Sequence, residues 1–245
     1  ARFSHDAADL AGHSAFIIAV PTPITDAKAP DLGPVLGACA SVAPHLRDGA
    51  LVILESTVYP GVTEDICGPA LAAGSGLETG TQIKLAYSPE RVNPGDAEHS
   101  MENVIKIIAA QDDATLARVE AVYAPVVKAG LHRASSIATA EAAKVIENTQ
   151  RDLNIALVNE LAVHAQALHI DIWEVIGAAA TKPFGFTRFD PGPGMGGHCL
   201  PIDPSFLSWR VRRHLGHTFR FVELANDVND HMPDFVVRRL SSSLN

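Results

Sequence analysis

The chain has 245 residues, of which 47% are hydrophobic and 19% charged, a globular composition long enough for one large domain or two smaller ones. Its net charge of −9 argues against nucleic-acid binding, which needs a clustered basic surface, but leaves room for an anionic small molecule. The three cysteines are far apart and lack metal-ligand spacing, and no apolar run reaches the ~18 residues of a membrane span. We therefore expect a cytoplasmic protein with no metal and no membrane partner.

The first part of the chain alternates apolar strands with helical stretches. The predicted strands are 14–20, 50–56, 83–87 and 104–109, and the predicted helices are 32–46, 63–73 and 113–128. This alternation predicts an α/β fold with a partial Rossmann-like parallel sheet covered on both faces. Ligands bind beyond the carboxyl ends of such strands, which directs attention to 21–23, 57–61 and 90–96.

A long run without proline or glycine follows, from 139 to 169. Its composition predicts a helix of roughly 45 Å that connects two domains or forms a dimer spine. A shorter helix at 172–179, a loop at 181–197 and a helical tail at 204–240 complete an all-α middle domain. We therefore divide the chain into an α/β part, residues 1–138, and a helical part, residues 139–245, that starts with the connecting helix.

The loop ends in GPGMGGHC, residues 192–199, where a glycine-rich backbone precedes Cys199 and Asp203 lies four residues beyond the sulfur. Such glycines are kept where the backbone turns tightly or approaches a ligand. The arrangement suggests a thiol nucleophile, and the alternative is a buried structural cysteine. His198 is a poor candidate for its base, because adjacent side chains in an extended segment point to opposite sides. Cys39 and Cys67 lie in apolar helical segments and are expected in the core.

Three polar residues of the long helix, Lys144, Asn148 and Arg151, share one face by their spacing. They are either a solvated polar stripe or part of a site, where a buried lysine can stabilise an oxyanion. Glu141 on the same helix could simply pair with a cation.

Two predicted strand ends carry polar residues of their own. Glu90 follows the third strand in YSPERVNPGD, where it is either part of an ordinary turn or a general base, with Arg91 and Asn93 holding a polar ligand. Thr57 follows the second strand in LESTVYPG, where its hydroxyl either closes a turn or contacts a cofactor.

Five motifs together resemble the NAD-dependent UDP-glucose/GDP-mannose dehydrogenase family. In chain order they are AVPTPI, ESTVYPGVTE, YSPERVNPGD, AEAAKVIENTQRDLNIALVNELA and PGPGMGGHCLPIDP. Each is weak alone, but five in order over nearly the whole chain are specific. The segment KPFGF, followed by FDPGPGMGGHCLPIDP, is most similar to the branch of the family that oxidises UDP-N-acetylhexosamines.

The resemblance implies a four-electron oxidation of the sugar C6 alcohol to a uronic acid, for surface-polysaccharide precursors. The expected substrate is UDP-N-acetylglucosamine, with UDP-glucose and UDP-N-acetylmannosamine as alternatives, and the expected cofactor is NAD. The expected partners are the UDP-sugar and a second copy of the chain, joined through the long helix and middle domain. The implied catalytic residues are Cys199 as nucleophile, Lys144, Asn148, Asp203 and Glu90; the implied substrate contacts are Arg91, Val92, Arg151 and Gly196; and the implied cofactor contacts are Thr57 and Thr22.

Two departures from the family pattern carry expectations of their own. The resemblance implies a strand with a GxGxxG-type turn before the first motif and a nucleotide-sugar-binding third domain after the helical tail, and neither pattern occurs within the 245 residues. It therefore implies that residues 1–138 are the C-terminal part of the NAD-binding domain, and that 139–245 are the connecting helix with the central catalytic and dimerisation domain. We therefore expect the 245-residue chain by itself to bind NAD⁺ poorly and to have little or no turnover. The other possibility is that the sequence is part of a longer protein. The alternatives are a β-hydroxyacid dehydrogenase, which places a similar Lys-x-x-x-Asn pair on a long helix but needs no cysteine, and a non-enzymatic dimerisation or binding fragment.

Overall fold

The computed structural model describes residues 2–25, 27–92, 98–197, 200 and 202–244. They form two compact units, Ala1–Val145 and Ile146–Asn245, and the division falls inside one long helix. The boundary predicted after residue 138 lies near the start of the same helix. Among the described helices, none combines the length and apolar character that crossing a membrane requires.

The first unit contains a five-stranded sheet in the order β1-β2-β3-β4-β5. Its strands are β1 (Ala15–Ile18), β2 (Ala50–Leu54), β3 (Ile83–Tyr87), β4 (Lys106–Ala110) and β5 (Leu131–Arg133). β1, β2 and β3 are mutually parallel, and β4 is parallel to β5. The predicted α/β fold with a largely parallel sheet is therefore confirmed.

One strand direction departs from the prediction, because β4 runs antiparallel to β3. A parallel pair requires a crossover, usually a helix, that carries the chain back across the sheet. The described residues between β3 and β4, 88–92 and 98–105, contain no helix. The chain therefore returns beside β3 in the opposite direction. The three-residue strand β5 was not predicted.

Three helices pack around this sheet: α1 (Gly33–Val42), α2 (Gly68–Ser75), which continues from a π-helical turn at Thr63–Cys67, and α3 (Asp113–Tyr123). All five residues of β2 are buried, as expected for an apolar central strand. Leu51, Ile53 and Ile108 form a buried cluster with Val119 and Tyr123 of α3. Cys39 and Cys67 are also buried, so their predicted place in the core is confirmed.

The long helix α4 (Ile137–Ala167) has 31 residues and confirms the helix predicted for 139–169. In the second unit it is followed by α5 (Ile172–Ala179), α6 (Asp203–Leu215) and α7 (Arg220–Leu244). The tail at 204–240, predicted to be helical, consists of two helices. The reason is Gly216, whose left-handed backbone (φ 73°) terminates α6 and is accessible to glycine without strain.

Candidate functional site

The carboxyl ends of β1 and β2 are joined by side-chain hydroxyls. Ser56 Oγ accepts from Val20 N at 2.9 Å and donates to Val20 O at 2.7 Å. Thr22 Oγ1 donates to Thr57 O at 2.7 Å. The structure thus brings together Thr22 and Thr57, the two predicted cofactor contacts. The Thr22 hydroxyl is buried and holds the strand ends together, whereas Thr57 is half-buried.

The loop after β3 is organised around Glu90. Glu90 is exposed, and its Oε1 accepts from the backbone N–H groups of Arg91 and Val92, both at 2.7 Å. Arg91 Nη1 donates to Ile105 O at 2.6 Å, immediately before β4. The predicted residues Glu90, Arg91 and Val92 therefore form one local structure, whereas Asn93 lies outside the described residues.

A buried ion pair that the sequence analysis missed lies beneath this loop. Lys106 Nζ is 3.1 Å from Glu55 Oε1 and 3.3 Å from Pro89 O, and its side chain is 5% exposed. Tyr123 Oη donates to the same Glu55 oxygen at 2.6 Å. Burial, with the Glu55 carboxylate as a second cause, raises the pKa of Tyr123 above its usual range, so the phenol stays protonated and acts as the donor.

Glu141 on α4 caps the helical segment that leads into α2. Its carboxylate is fully buried and accepts from Gly61 N at 2.6 Å, from Thr63 N at 2.9 Å and from Thr63 Oγ1 at 2.6 Å. The expectation that Glu141 pairs with a cation is therefore wrong. Acidic groups are favourable at helix N-termini, where unsatisfied N–H groups point outward. Burial nevertheless raises the pKa of Glu141, with the hydrogen bonds opposing the shift.

The three residues of the predicted α4 face differ in burial. The Lys144 side chain is buried, Asn148 is half-buried and Arg151 is exposed. A solvated stripe therefore describes Arg151 but not Lys144. A lysine is rarely buried unless it has a structural or chemical use.

Asn148 and Asp203 are in direct contact within the second unit. Asn148 Nδ2 donates to Asp203 Oδ2 at 2.5 Å. Asp203 is the first residue of α6 and is only 2% exposed. Two predicted catalytic residues that are far apart in sequence are thus adjacent in the fold. His198 and Cys199 lie outside the described residues.

A chain of buried polar groups holds the start of the glycine-rich stretch. Gly192 N donates to Asn159 Oδ1 at 2.8 Å, Asn159 Nδ2 donates to Asn229 Oδ1 at 2.9 Å, and Asn229 Nδ2 donates to Asp152 Oδ1 at 3.0 Å. The side chains of Asp152, Asn159 and Asn229 are all at least 96% buried. We call these four residues the Asn159 network. No motif in the sequence indicated it.

The glycines of this stretch have different local requirements. Gly194 has φ +119°, and a Cβ there would lie 2.7 Å from the backbone oxygen of Asn229. Only glycine satisfies both conditions without strain. Gly196, the predicted substrate contact, is exposed, and a Cβ at this position would meet no heavy atom within 4 Å. The backbone of Gly196 is therefore exposed at the surface and is not covered by a side chain.

The α/β unit with polar strand ends, the long helix with a buried lysine and the Asn–Asp pair agree with the organisation that the sequence resemblance implies. Comparison with known proteins identifies the class. Residues 2–127 match the UDP-glucose/GDP-mannose dehydrogenase family, NAD binding domain, and residues 138–231 match the central domain of that family. The chain belongs to the UDP-glucose/GDP-mannose dehydrogenase family, whose members are NAD-dependent nucleotide-sugar dehydrogenases.

Individual relatives agree with the family match. The chain is 44% identical to protein CapL of Staphylococcus aureus over 243 residues, and 43% identical to UDP-N-acetyl-D-glucosamine 6-dehydrogenase of Pseudomonas aeruginosa over 242 residues. Each alignment covers 99% of this chain and 57% of the relative. The solved structure of UDP-D-ManNAc dehydrogenase from Pyrococcus horikoshii superimposes with a TM-score of 0.89 at 36% identity, over 98% of this chain and 56% of that one. The chain thus spans about half the length of these relatives.

The described residues fit one end of an NAD molecule. Thr57 supplies a half-buried hydroxyl at the carboxyl end of β2, where open α/β sheets bind ligands. A neutral hydroxyl beside backbone peptide groups is a suitable donor set for the nicotinamide and its carboxamide. The residues that match the NAD binding domain, 2–127, include Thr57 and these strand ends.

Proposed function

We propose that the complete protein containing this sequence oxidises the C6 alcohol of a UDP-N-acetylhexosamine to the uronic acid, with two NAD⁺ per sugar. UDP-N-acetylglucosamine is the proposed substrate, because a dehydrogenase named for it is 43% identical to this chain. The product would serve as a precursor of surface polysaccharides. The 99% coverage of the chain in that alignment includes every proposed site residue.

The observation that carries this proposal is the hydrogen bond between Asn148 and Asp203. It joins the helix that bears Lys144 to the carboxylate that follows Cys199 by four residues. A half-buried amide beside a buried carboxylate can hold and polarise a water molecule, which the last step of a thioester route requires. A two-electron dehydrogenase has no such step.

The proposed reaction assigns one role to each catalytic residue. NAD⁺, when bound, accepts a hydride in each of the two oxidations. Glu90, or water oriented by it, accepts the proton of the C6 alcohol, and Lys144 stabilises the developing alkoxide. The Cys199 thiolate then adds to the aldehyde carbon to give a thiohemiacetal, whose oxidation leaves a thioester. Water held by Asn148 and Asp203 hydrolyses that thioester, which releases the carboxylate and regenerates the thiol.

Four further residues are proposed substrate contacts. Arg91 and Val92 belong to the loop that follows β3, residues 88–92, which we call the Glu90 loop. Arg151 is exposed and offers a cation to an anionic ligand. Gly196 offers backbone that no side chain covers. On the cofactor side, Thr57 is the proposed direct contact, and Thr22 is proposed to act by holding the Thr57 carbonyl.

We also propose a homodimer formed through the second half of α4 and the helices of the second unit. Leu157 is 56% exposed, and Phe221 and Leu224 of α7 are 67% and 57% exposed. These residues line an apolar groove of about 290 Å³. Large apolar side chains exposed together are typical of interaction surfaces.

The proposed function is tested by assaying the complete protein with UDP-GlcNAc, UDP-ManNAc, UDP-GalNAc and UDP-glucose while counting NADH. We expect two NADH per UDP-GlcNAc and a uronic acid product. Cys199→Ser should stop acid formation, whereas the same change at buried Cys39 should alter stability only. One NADH per sugar with an intact Cys199→Ser variant would instead indicate a two-electron dehydrogenase.

A second substrate has specific support. The Pyrococcus horikoshii structure with TM-score 0.89 is that of a UDP-D-ManNAc dehydrogenase. UDP-ManNAc is therefore the second candidate, and the ratio of kcat/KM for the two epimers decides between them.

A non-enzymatic role makes a different prediction about Cys199. If the site is functional, UDP-sugar should protect the thiol from iodoacetamide. Equal labelling with and without the nucleotide sugar would favour a binding or dimerisation module.

A further inference from the structure

The buried ion pair between Glu55 and Lys106 has a specific arrangement of partners. Lys106 Nζ contacts Glu55 Oε1 at 3.1 Å and Pro89 O at 3.3 Å, and lies 4.9 Å from the centre of the Tyr123 ring. Tyr123 Oη donates to the same Glu55 oxygen at 2.6 Å. The ammonium is therefore held by a carboxylate, a carbonyl and an aromatic face, each of which attracts a cation.

This cluster lies between the two loops that the proposed chemistry uses. Glu55 follows β2 and is two residues before Thr57, while Pro89 directly precedes Glu90. Lys106 is the first residue of β4, so its backbone is fixed by the sheet. One side chain thus connects the end of β2 to the end of β3.

The Glu90 loop has a second attachment to the same place. Arg91 Nη1 donates to Ile105 O at 2.6 Å, one residue before Lys106. The loop has no regular secondary structure over residues 88–92. The residues before and after Glu90 are therefore both attached to the start of β4, Pro89 through Lys106 and Arg91 through Ile105. Glu90 itself closes the loop by accepting from the amides of Arg91 and Val92.

Stability alone gives a weak reason for such a pair. Removing two charges from water is costly, and apolar residues of similar volume often stabilise a fold equally well or better. A charged pair, however, has directional contacts that an apolar pair lacks. Here the extra contact is the carbonyl next to Glu90.

We propose that Lys106, held by Glu55 and Tyr123, is a positioning residue that fixes the Glu90 carboxylate relative to the end of β2. The role assigned to Glu90 rests on the proposed function. The geometric part of the inference does not, because loop order can be measured without turnover.

The geometric test is hydrogen exchange of the backbone amides in the 88–92 segment of the complete protein, which are those of Ser88, Glu90, Arg91 and Val92 because Pro89 has none. Lys106→Met should raise the exchange rate there by roughly tenfold, since it removes the loop's attachment at Pro89. The matched control is Lys84→Met on β3, because Lys84 also pairs with a carboxylate (Asp112, 3.2 Å) and a carbonyl (Gly80, 2.7 Å). It should leave exchange at 88–92 unchanged. Equal exchange in wild type and Lys106→Met would overturn the proposal.

The kinetic test is a double-mutant cycle, in which Lys106→Met and Glu90→Gln are assayed singly and together. Lys106→Met should lower kcat by about 10- to 100-fold, with KM for the nucleotide sugar little changed, because misplacement of a catalytic group slows the chemical step. In the Glu90→Gln background the same change should have little further effect. An equal loss in both backgrounds would mean that Lys106 does not act through Glu90.

A third variant separates folding from positioning. Glu55→Gln with Lys106→Met removes both charges and should restore the thermal midpoint if Lys106→Met alone folds poorly. Activity should remain low, because the contact to Pro89 O is still absent, and full recovery of kcat would refute the positioning role. If the wild type oxidises no UDP-sugar, the proposed function is wrong. The exchange experiment still tests whether Lys106 orders residues 88–92, because it does not depend on turnover.

Discussion

Replacing Asn159 by aspartate probes the direction of the Asn159 network. At one end Gly192 offers a backbone N–H that can only donate, so the oxygen of Asn159 must face it and its NH₂ must face Asn229. At the other end Asp152 Oδ1 accepts from the NH₂ of Asn229, which fixes the orientation of that amide. In Asn159→Asp, an oxygen replaces the NH₂ that faced Asn229 Oδ1. Rotating the Asn229 amide does not help, because its oxygen would then face Asp152.

The expected loss follows from the number of groups left without a partner. Two buried acceptors face each other in the variant, and each unsatisfied buried group costs ~1–3 kcal/mol, so the free energy of unfolding should fall by about 2–6 kcal/mol. Protonation of the new carboxyl supplies the missing donor. Its folded-state pKa is therefore raised above the unfolded value of ~3.9, and the variant should recover stability as the pH falls toward ~4.

Urea unfolding followed by tryptophan fluorescence measures this change. Both tryptophans, Trp173 and Trp209, lie in the unit that contains the network, so the signal reports that unit. The control is Asn154→Asp, on the same helix, where the half-buried amide donates to Gln150 O at 2.7 Å. It should change stability by ~0.5 kcal/mol or less. If Asn159→Asp were as stable as this control at both pH values, the directional argument would be refuted.

Three further predictions concern other parts of the chain. Gly194→Ala should lower the free energy of unfolding by roughly 2 kcal/mol in the same titration, because a Cβ would lie 2.7 Å from Asn229 O at φ +119°; an unchanged midpoint would contradict it. Asp112 caps α3 through Thr115 N, which lowers the pKa of Asp112 to about 2. Asp112→Ala should therefore lower the free energy of unfolding by about 1 kcal/mol above pH ~4. The thermal midpoints of the wild type and the variant should converge as the pH falls toward 2; a difference between them that does not change with pH would exclude the charged cap. Leu157→Lys should weaken the proposed dimer at least ~10-fold in analytical ultracentrifugation, because it places a charge on an apolar surface; an unchanged dissociation constant would locate the interface elsewhere.

Apolar runs and helical composition within short windows were enough to predict individual strands and helices. The apolar run at 83–87 became β3 with the predicted bounds, and the proline-free stretch became α4 within two residues at each end. The direction of β4 depends on where the preceding segment crosses the sheet, which no short window records. β5 is three residues long and only partly buried, so it lacks an apolar pattern.

The candidate site was predictable to the extent that its residues share one helix or one strand end. Spacing placed Lys144 and Asn148 on one face of α4, and a motif placed Glu90 after β3. The contact of Asn148 with Asp203 joins positions 55 residues apart and requires the fold. The same holds for Lys106, whose partners come from two other strand ends and a helix. A lysine within the predicted apolar strand at 104–109 is the signal that could have indicated it.

The Glu141 cap determines how this protein could be cut into separately folding pieces. A fragment that ended at residue 138 would keep every strand of the sheet but lose the carboxylate that accepts from Gly61, Thr63 and the Thr63 hydroxyl. Three donors would then lie at the start of a helical segment without the acceptor they have in the intact chain. The opening turns of α4 therefore belong to the folding unit of the sheet, and a self-sufficient first fragment has to extend beyond Glu141.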